Sequence, residues 1–345
     1  MRLAVTGASG FVGGAVCRAA RARGWRVHAF GRRGRVEPDH VGGAPYTSWD
    51  LLSERPALPE VDAVVHCAGS VTDWGPPQEI WAANVTGTRN AAEAFPGARF
   101  VHVSTASVYD PLRPTVLARE DQAPVARYVN AYGASKAAAE RAAAHAARGR
   151  AVVLRPHAIY GPGDTTLLPR VLGAVRGRRL LAVGDGRQRI SLTSVGNLAG
   201  ACLLAATASL DGLLDVVPGE DGAGPGEGRG GGSGVFGEGR GVLDVSHRVF
   251  NVTDAEPVLL DDALRAILKE RRIDAEPYYL PLRLVEPAAA AAEAVFGLLR
   301  RTDPPRLTRY AAGHLAVERT LDITAARERL GYRPGATSFA GAAGW

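Results

Sequence analysis

The first thirteen residues restrict the fold more than any other stretch of this chain. A short apolar strand, Leu3 to Val5, runs straight into Thr6-Gly7-Ala8-Ser9-Gly10-Phe11-Val12-Gly13, after which Val16, Ala19 and Ala20 recur with helical spacing. A glycine-rich turn between a first strand and a first helix aims backbone N–H groups and the positive helix end at one point, where a pyrophosphate can sit. In that context the glycines predict the opening βα unit of a parallel α/β sheet, with Gly7, Ser9, Gly10, Phe11, Val12 and Gly13 against the ligand. The spacing is GxxGxxG rather than GxGxxG.

Composition agrees with a soluble enzyme-sized domain. The chain has 345 residues, 46% hydrophobic and 22% charged, which suits one large domain or two closely joined ones with a substantial core. The net charge of +6 comes from arginines spread along the whole length. Without a basic block or an aromatic-interleaved stripe, that charge fits an anionic phosphate ligand and argues against a nucleic-acid partner. Cys17, Cys67 and Cys202 lie far apart in apolar contexts, as buried thiols in a reducing compartment do, and lack metal-ligand spacing. The N-terminus enters a strand pattern at once and no uninterrupted apolar run reaches about 18 residues, so no integral membrane segment is expected and a cytoplasmic location is.

The chemistry concentrates in Tyr132-Gly133-Ala134-Ser135-Lys136, at the head of an alanine-rich helical run. Four residues apart on a helix, Tyr132 and Lys136 share a face, so the ammonium is expected beside the phenol, favouring its ionised form. Tyr132 is thereby a candidate proton donor and acceptor near neutral pH. Among 41 basic residues the only lysines are Lys136 and Lys269. A lysine retained against such a drift to arginine suits a task needing a compact point charge.

The remaining motifs fall where strands end. Trp25 to Phe30 runs into Gly31-Arg32-Arg33; the acidic residue that would hold the adenosine ribose is missing and two guanidiniums replace it, so NADP(H) is favoured, with NAD(H) as the alternative. Further on come Asp50-Leu51, the strand Ala63 to Cys67 with His66-Cys67-Ala68-Gly69, and Asn84-Val85-Thr86-Gly87-Thr88 in a helical stretch. Strand Phe100 to Val103 ends in Ser104-Thr105-Ala106-Ser107-Val108-Tyr109, and strand Ala151 to Leu154 ends in Arg155-Pro156-His157-Ala158-Ile159-Tyr160-Gly161-Pro162-Gly163-Asp164.

Together these motifs resemble the extended branch of the short-chain dehydrogenase/reductase superfamily, the NAD-dependent epimerase/dehydratase group. The resemblance implies that Asp50 and Leu51 face the adenine, that Cys67, Ala68 and Gly69 lie along the dinucleotide, and that Pro156, His157 and Ile159 border the nicotinamide. It also implies a catalytic set: Thr105 holding the substrate oxygen with Ser104 and Ser107 as competitors, Tyr132 transferring the proton, Lys136 binding the ribose, and Asn84 ordering the backbone and water behind Lys136. His66 is read as a packing residue. The helix start Ser194-Val195-Gly196-Asn197-Leu198-Ala199 and the segment Phe250-Asn251-Val252-Thr253-Asp254 are similar to the 3β-hydroxysteroid dehydrogenase and 2-alkyl-3-oxoalkanoate reductase group.

The expected architecture is a Rossmann-like, doubly wound parallel sheet with a smaller, mostly helical C-terminal substrate lobe. Residues 1–165 form the dinucleotide-binding domain, with 190–218 and 242–255 returning to it, and 166–189 and 256–345 form the lobe. From Gly219 to Gly241, 12 of 23 residues are glycine, so 219–241 is expected to be a flexible insertion. The helix expected over Val285 to Leu299 is read as a pocket wall rather than an anchor. The activity expected is NADPH-dependent reduction of a ketone on an apolar small molecule, or the reverse dehydrogenation, in a homodimer built on the Asn84 and Tyr132 helices. A nucleotide-sugar epimerase retaining NAD is the main rival. A sugar dehydratase lacks its acid pair here, since Ala106 and Ser107 stand in those places, and a non-catalytic NADP(H)-sensing regulator would have no need of Tyr132 and Lys136.

Overall fold

In the computed structural model, residues 1–110, 113–209, 248–299, 301, 303–305 and 307–345 are described. The glycine-rich segment 219–241 lies outside them. The chain begins with β1 (Arg2–Thr6), α1 (Phe11–Ala22), β2 (Arg26–Gly31), β3 (Tyr46–Ser48) and β4 (Ala63–His66). Next come α2 (Pro77–Trp81), a widened π-helical turn over Ala82–Thr86, α3 (Gly87–Ala94), β5 (Arg99–Val103) and β6 (Thr115–Ala118). Then α4 (Ala131–Ala146), β7 (Ala151–Pro156), β8 (Ile159–Tyr160), α5 (Leu167–Gly173), β9 (Val175–Arg176), β10 (Arg179–Val183), β11 (Arg189–Ile190), β12 (Thr193–Ser194) and α6 (Val195–Thr207) follow. The C-terminal part holds β13 (Val249–Val252), β14 (Val258–Leu259), α7 (Leu260–Glu270), β15 (Glu276–Leu280), α8 (Leu282–Leu298), α9 (Arg309–Ala316), β16 (Arg319–Leu321) and α10 (Thr324–Arg329).

Seven strands form one sheet in the order β13-β7-β5-β4-β1-β2-β3, and every pairing in it is parallel. Parallel strands covered on both faces read as continuous apolar runs, and Leu3, Ala4 and Val5 of β1 and Val64 and Val65 of β4 are fully closed to solvent. Their alternate side chains feed two cores. On one face Val5, Val65 and Val101 pack with Val16 and Cys17 of α1 and Leu198 and Cys202 of α6; on the other Ala4, Val64 and Phe100 pack with Ala91 of α3 and Ala143 of α4. Each large apolar side chain closed off in this way contributes roughly 1.5–3 kcal/mol. The strand order reverses between β1 and β4, and a crevice opens at such a reversal, at the carboxyl ends of the strands.

The smaller lobe adds what sequence periodicity missed: a three-stranded sheet, β15-β10-β9, packed with α5 and α7. Its α8 differs from the expected pocket wall. Only Val285 and Ala289 of that helix are buried, while Leu284, Val295 and Leu298 are exposed, because α8 sits at the lobe's edge with its inner side on α9. Among the described residues, no helix is long and apolar enough to cross a membrane.

Candidate active site

The turn after β1 is shaped by close approach. Gly7 has a left-handed backbone, φ 71°, and a Cβ there would stand 2.5 Å from the Ala68 backbone nitrogen. A Cβ on Gly13 would stand 2.3 Å from the Gly7 carbonyl oxygen. With both positions bare, α1 starts directly over the end of β1; its N-cap, Gly10, offers no side-chain cap and its first turn holds no acid. The free N–H groups and the helix dipole leave a positive seat for an anion.

That seat is one wall of a cavity of about 610 Å³ lined by Gly7, Ser9, Gly10, Phe11, Val12 and Gly13 from the turn, Arg32 and Arg33 after β2, Asp50 and Leu51 after β3, Cys67, Ala68 and Gly69 after β4, and Ile159. Pro156 and His157 do not line it. Pro156 ends β7 opposite Val252. His157 is buried, its Nδ1 2.6 Å from the Ser191 carbonyl oxygen and its Nε2 2.6 Å from His314 Nε2. The chain turns at Ala158, φ 44°, which sends Ile159 to the cleft and leaves His157 toward the smaller lobe.

Thr105, Tyr132, Lys136 and Asn84 lie outside that lining. Asn130 caps α4 by accepting from the Gly133 N–H at 3.0 Å. A Cβ on Gly133 would meet the Ser107 carbonyl oxygen at 2.9 Å, so glycine there lets the first helical turn come down on the end of β5. The result brings Tyr132 near enough to the Thr105 and Ser107 hydroxyls for both to lower its proton affinity. Thr105 Oγ1 accepts from the Ser107 N–H at 3.1 Å and lies 3.0 Å from Ser107 Oγ. Ser104, in contrast, is taken up by Glu140, to which its hydroxyl donates at 2.5 Å.

The electrostatics reverse the expectation drawn from helical spacing. Burial raises Tyr132 above the ordinary phenol range; the Thr105 hydroxyl, the Arg170 charge and the Ser107 hydroxyl only partly offset it, and Asp73 adds to the rise. Lys136 is 6% exposed and donates Nζ to the Val103 carbonyl oxygen at 2.8 Å. Burial lowers it to about 8, against the charge of Glu140. The shared helix face is real, but the ammonium points down to the sheet. Asn84, in the widened turn, is buried; its Oδ1 accepts from the Ser70 N–H at 2.7 Å and its Nδ2 donates to Ser135 Oγ at 2.9 Å. His66 is enclosed between Thr6 and Thr88, and burial lowers it to about 3.

Three features escaped the motif reading. Glu140 continues the Tyr132 and Lys136 stripe by one more turn and forms a buried ion pair with Arg155 at 2.8 Å, bracing the ends of β5 and β7; the i, i+4 spacing was a usable signal. Tyr310 of α9 hydrogen-bonds Ser107 and meets Tyr132 edge-on at 6.4 Å, and nothing local to Tyr310 announces that. The loop after β4 is fastened to the smaller lobe: Asp73 accepts from Thr308 at 2.6 Å and from Arg170 at 3.1 Å, and Trp74 Nε1 donates to the Arg301 carbonyl oxygen at 3.1 Å. Among the described residues, no group of three or more His, Cys, Asp or Glu could hold a metal.

Residues 3–214 match the model of the NAD dependent epimerase/dehydratase family. The chain is 30% identical over 344 residues to 2-alkyl-3-oxoalkanoate reductase of Stenotrophomonas maltophilia (strain K279a), covering 97% of this chain and 95% of that one. It is 31% identical over 344 residues to a 4-hydroxy-2-methyl-3-oxo-4-farnesyl-3,4-dihydroquinoline-1-oxide ketoreductase of Stigmatella aurantiaca, covering 96% and 92%. The fold is similar to that of UDP-glucuronic acid 4-epimerase from Bacillus cereus in complex with NAD, with a TM-score of 0.66 and 19% identity over 100% of this chain and 97% of that one.

Proposed function

The chain belongs to the NAD dependent epimerase/dehydratase family, and on that premise we propose that it is an NADPH-dependent reductase of a ketone on an apolar substrate, a 3-oxo acid or a 3-keto steroid, or the reverse dehydrogenase. The observation that carries this reading is the pair of hydroxyls, Thr105 and Tyr132, brought together at the end of β5, where that of Thr105 lowers the proton affinity of the phenol, with no acid between Ser104 and Ser107. Such a pair can polarise and protonate a carbonyl oxygen, whereas a sugar dehydration calls for carboxyl groups there. The reductase and ketoreductase names of the relatives favour the same side.

A dinucleotide fits the cleft: bare Gly7 and Gly13 let the turn close against Ala68 and let α1 start over the Gly7 carbonyl, which leaves the uncapped N–H groups of α1 open to a pyrophosphate. Gly7 to Gly13 would hold the pyrophosphate, Arg32 and Arg33 a 2′-phosphate, Asp50 and Leu51 the adenine, and Lys136 the ribose hydroxyls. When bound, the nicotinamide supplies or accepts the hydride. Tyr132, whose phenol burial holds above its ordinary range, would give its proton to the substrate oxygen in reduction and take it back in the reverse reaction. Thr105 donates to that same oxygen, so the developing alkoxide meets donors already in place. Asn84 fixes the Ser70 backbone and, through Ser135, the base of α4. The proposal includes a homodimer in the cytoplasm, through the helical stretch that carries Asn84 and through α4, which carries Tyr132.

Two measurements test it. Nucleotide released on denaturing freshly purified protein is expected to be absent or exchangeable, and the emptied protein is expected to bind NADPH more tightly than NADH and to reduce 3-oxo acids or 3-keto steroids. Tyr132→Phe should abolish turnover while leaving NADPH affinity within a few-fold. Stoichiometric retained NAD with interconversion of nucleotide sugars would replace the reading by an epimerase; undiminished turnover in Tyr132→Phe would remove Tyr132 from its role. A monomer by light scattering at micromolar concentration would remove the dimer.

A further inference from the structure

Beside the main cleft lies a second hollow of about 400 Å³, and the two share Arg32, Trp49 and Asp50. It sits at the carboxyl ends of β2 and β3, whose pairing sets Ser48 beside Gly31 and whose continuation is fixed by the Trp49 N–H donating to the Gly31 carbonyl oxygen at 2.8 Å. Its far wall is the turn Ser53-Glu54-Arg55-Pro56. Arg32 and Arg55 face this hollow from opposite strand-end loops, and among the described residues neither guanidinium has a hydrogen bond or ion pair. Some surface arginines find carboxylates, as Arg2 does with Glu60 and Asp62 and Arg265 with Asp261 and Glu276; Arg32 and Arg55 instead both open on one hollow that adjoins the main cleft. Asp50 is turned aside: its Oδ1 accepts from the Leu52 N–H at 3.0 Å.

We propose that Arg55, acting with Arg32 across this hollow, forms the seat of the adenosine 2′-phosphate, a site to which the chain brings a guanidinium from the β3–β4 loop as well as from the end of β2. The ligand class is a phosphate monoester dianion on a ribose, and the planar guanidinium fork is the group that binds such a phosphate through two parallel charge-assisted hydrogen bonds. Ser48, at the exposed end of β3, has a hydroxyl to add. Glu54 on the same rim opposes a dianion, so its removal has the opposite sign to that of Arg55. The inference rests on the NADPH reading and refines it.

The experiment measures binding alone, by calorimetric titration of the full chain with 2′,5′-ADP, ADP, NADPH and NADH, so it needs no turnover. Wild type is expected to bind 2′,5′-ADP at least about tenfold more tightly than ADP. Arg55→Gln should weaken 2′,5′-ADP and NADPH by about tenfold, one charge-assisted contact, and leave ADP and NADH within about twofold. Arg55→Lys should recover part of the loss, and Glu54→Gln should strengthen 2′,5′-ADP binding. If wild type does not distinguish 2′,5′-ADP from ADP, the NADPH preference fails and the seat with it. If wild type does distinguish them, and Arg32→Gln removes the preference while Arg55→Gln keeps it, the seat proposed for Arg55 is wrong and the NADPH reading stands. The retained ADP affinity reports that each variant is folded.

Discussion

Replacing Glu140 by Gln removes the charge that balances Arg155 while keeping the side chain's size. In the native protein Arg155 donates Nε and Nη2 to the two Glu140 oxygens at 2.9 and 2.8 Å, and the two side chains are 2% and 6% exposed. The introduced amide would keep one oxygen for the guanidinium and turn an NH₂ group toward donors. Arg155 would retain the Glu120 and Ala123 carbonyl oxygens but no anion. Removing one partner of a buried pair costs roughly 3–5 kcal/mol; the surviving neutral bonds place the expected loss at the low end, about 3 kcal/mol. That corresponds to a fall of about 4 °C in the thermal midpoint and a lower urea midpoint at constant slope.

A pure stability effect would end there, but the brace also touches chemistry. Ser104 donates to Glu140 and is the neighbour of Thr105, so a slackened Glu140 should lower kcat and leave dinucleotide affinity nearly unchanged. Glu140 also raises Lys136, so the Lys136 titration should move to lower pH in the variant. The control is the double change Glu140→Leu with Arg155→Met: exchanging a buried pair for apolar side chains is often close to neutral, so the double variant should recover much of the stability lost by Glu140→Gln. A loss below about 1 kcal/mol in Glu140→Gln, or a double variant as damaged as the two single changes combined, would refute the account of a buried pair made costly by removing one partner.

Lys136 gives a pH signature. Its folded value, about 8, lies below the ordinary 10.5, so the folded state binds the proton less tightly than the unfolded chain; the penalty is fully present below about 8 and is relieved as pH rises toward 10.5. Unfolding free energy of wild type relative to Lys136→Met should therefore climb by up to roughly 3 kcal/mol across that window, and parallel urea-midpoint profiles for the two proteins would show the idea wrong. Tyr310→Phe deletes the hydroxyl held by Ser107; kcat/KM is expected to fall about tenfold with NADPH affinity kept and about 1 kcal/mol of stability lost, and unchanged steady-state kinetics would make Tyr310 mere packing. Gly13→Ala places a Cβ 2.3 Å from a backbone oxygen that cannot yield, so dinucleotide binding should drop at least about a hundredfold, a one-ångström displacement being able to do that much; titration showing native affinity would contradict the cradle.

The sheet was legible because its evidence is local. Each central strand is a run of apolar side chains such as Leu3 to Val5 or Ala63 to Val65, and each βα junction carries its own turn residues, so both period and punctuation can be read within a dozen positions. The three-stranded sheet of the smaller lobe was not legible, because Arg179–Val183 finds its parallel partner in Glu276–Leu280, and no short window contains both. The same limit explains Tyr310, whose meaning comes from contacts with Ser107 and Tyr132, far away in the sequence. With Lys136 the failure was of another kind. Helical spacing fixes which face a side chain takes but not how deep it lies, and depth decides here: at 6% exposure the ammonium is weakened by burial and gives one N–H to Val103, while the phenol on the same face is raised instead of lowered.

The loop after β4 shows how one short stretch can serve both halves of such a site. Val71, Thr72, Trp74 and Gly75 form part of the wall of the dinucleotide cleft, while Asp73, between them, is held by Thr308 and Arg170, and Trp74 meets Phe296 of α8 edge-on at 6.3 Å. Thr308 in turn caps α9 by accepting from the Ala311 N–H at 3.0 Å, and α9 is the helix that sets Tyr310 against Tyr132. A ligand pressing on the cleft wall therefore acts on the same hydrogen-bonded string that positions the phenols. Arg170 belongs to that string and is one of the charges that lower Tyr132, whereas its partner Asp73 raises it. Burial and the Thr105 hydroxyl act more strongly on the candidate acid, and Arg170 of α5 and Asp73 of the loop after β4 adjust it in opposite directions, two side chains that the motif around Tyr132 and Lys136 does not contain.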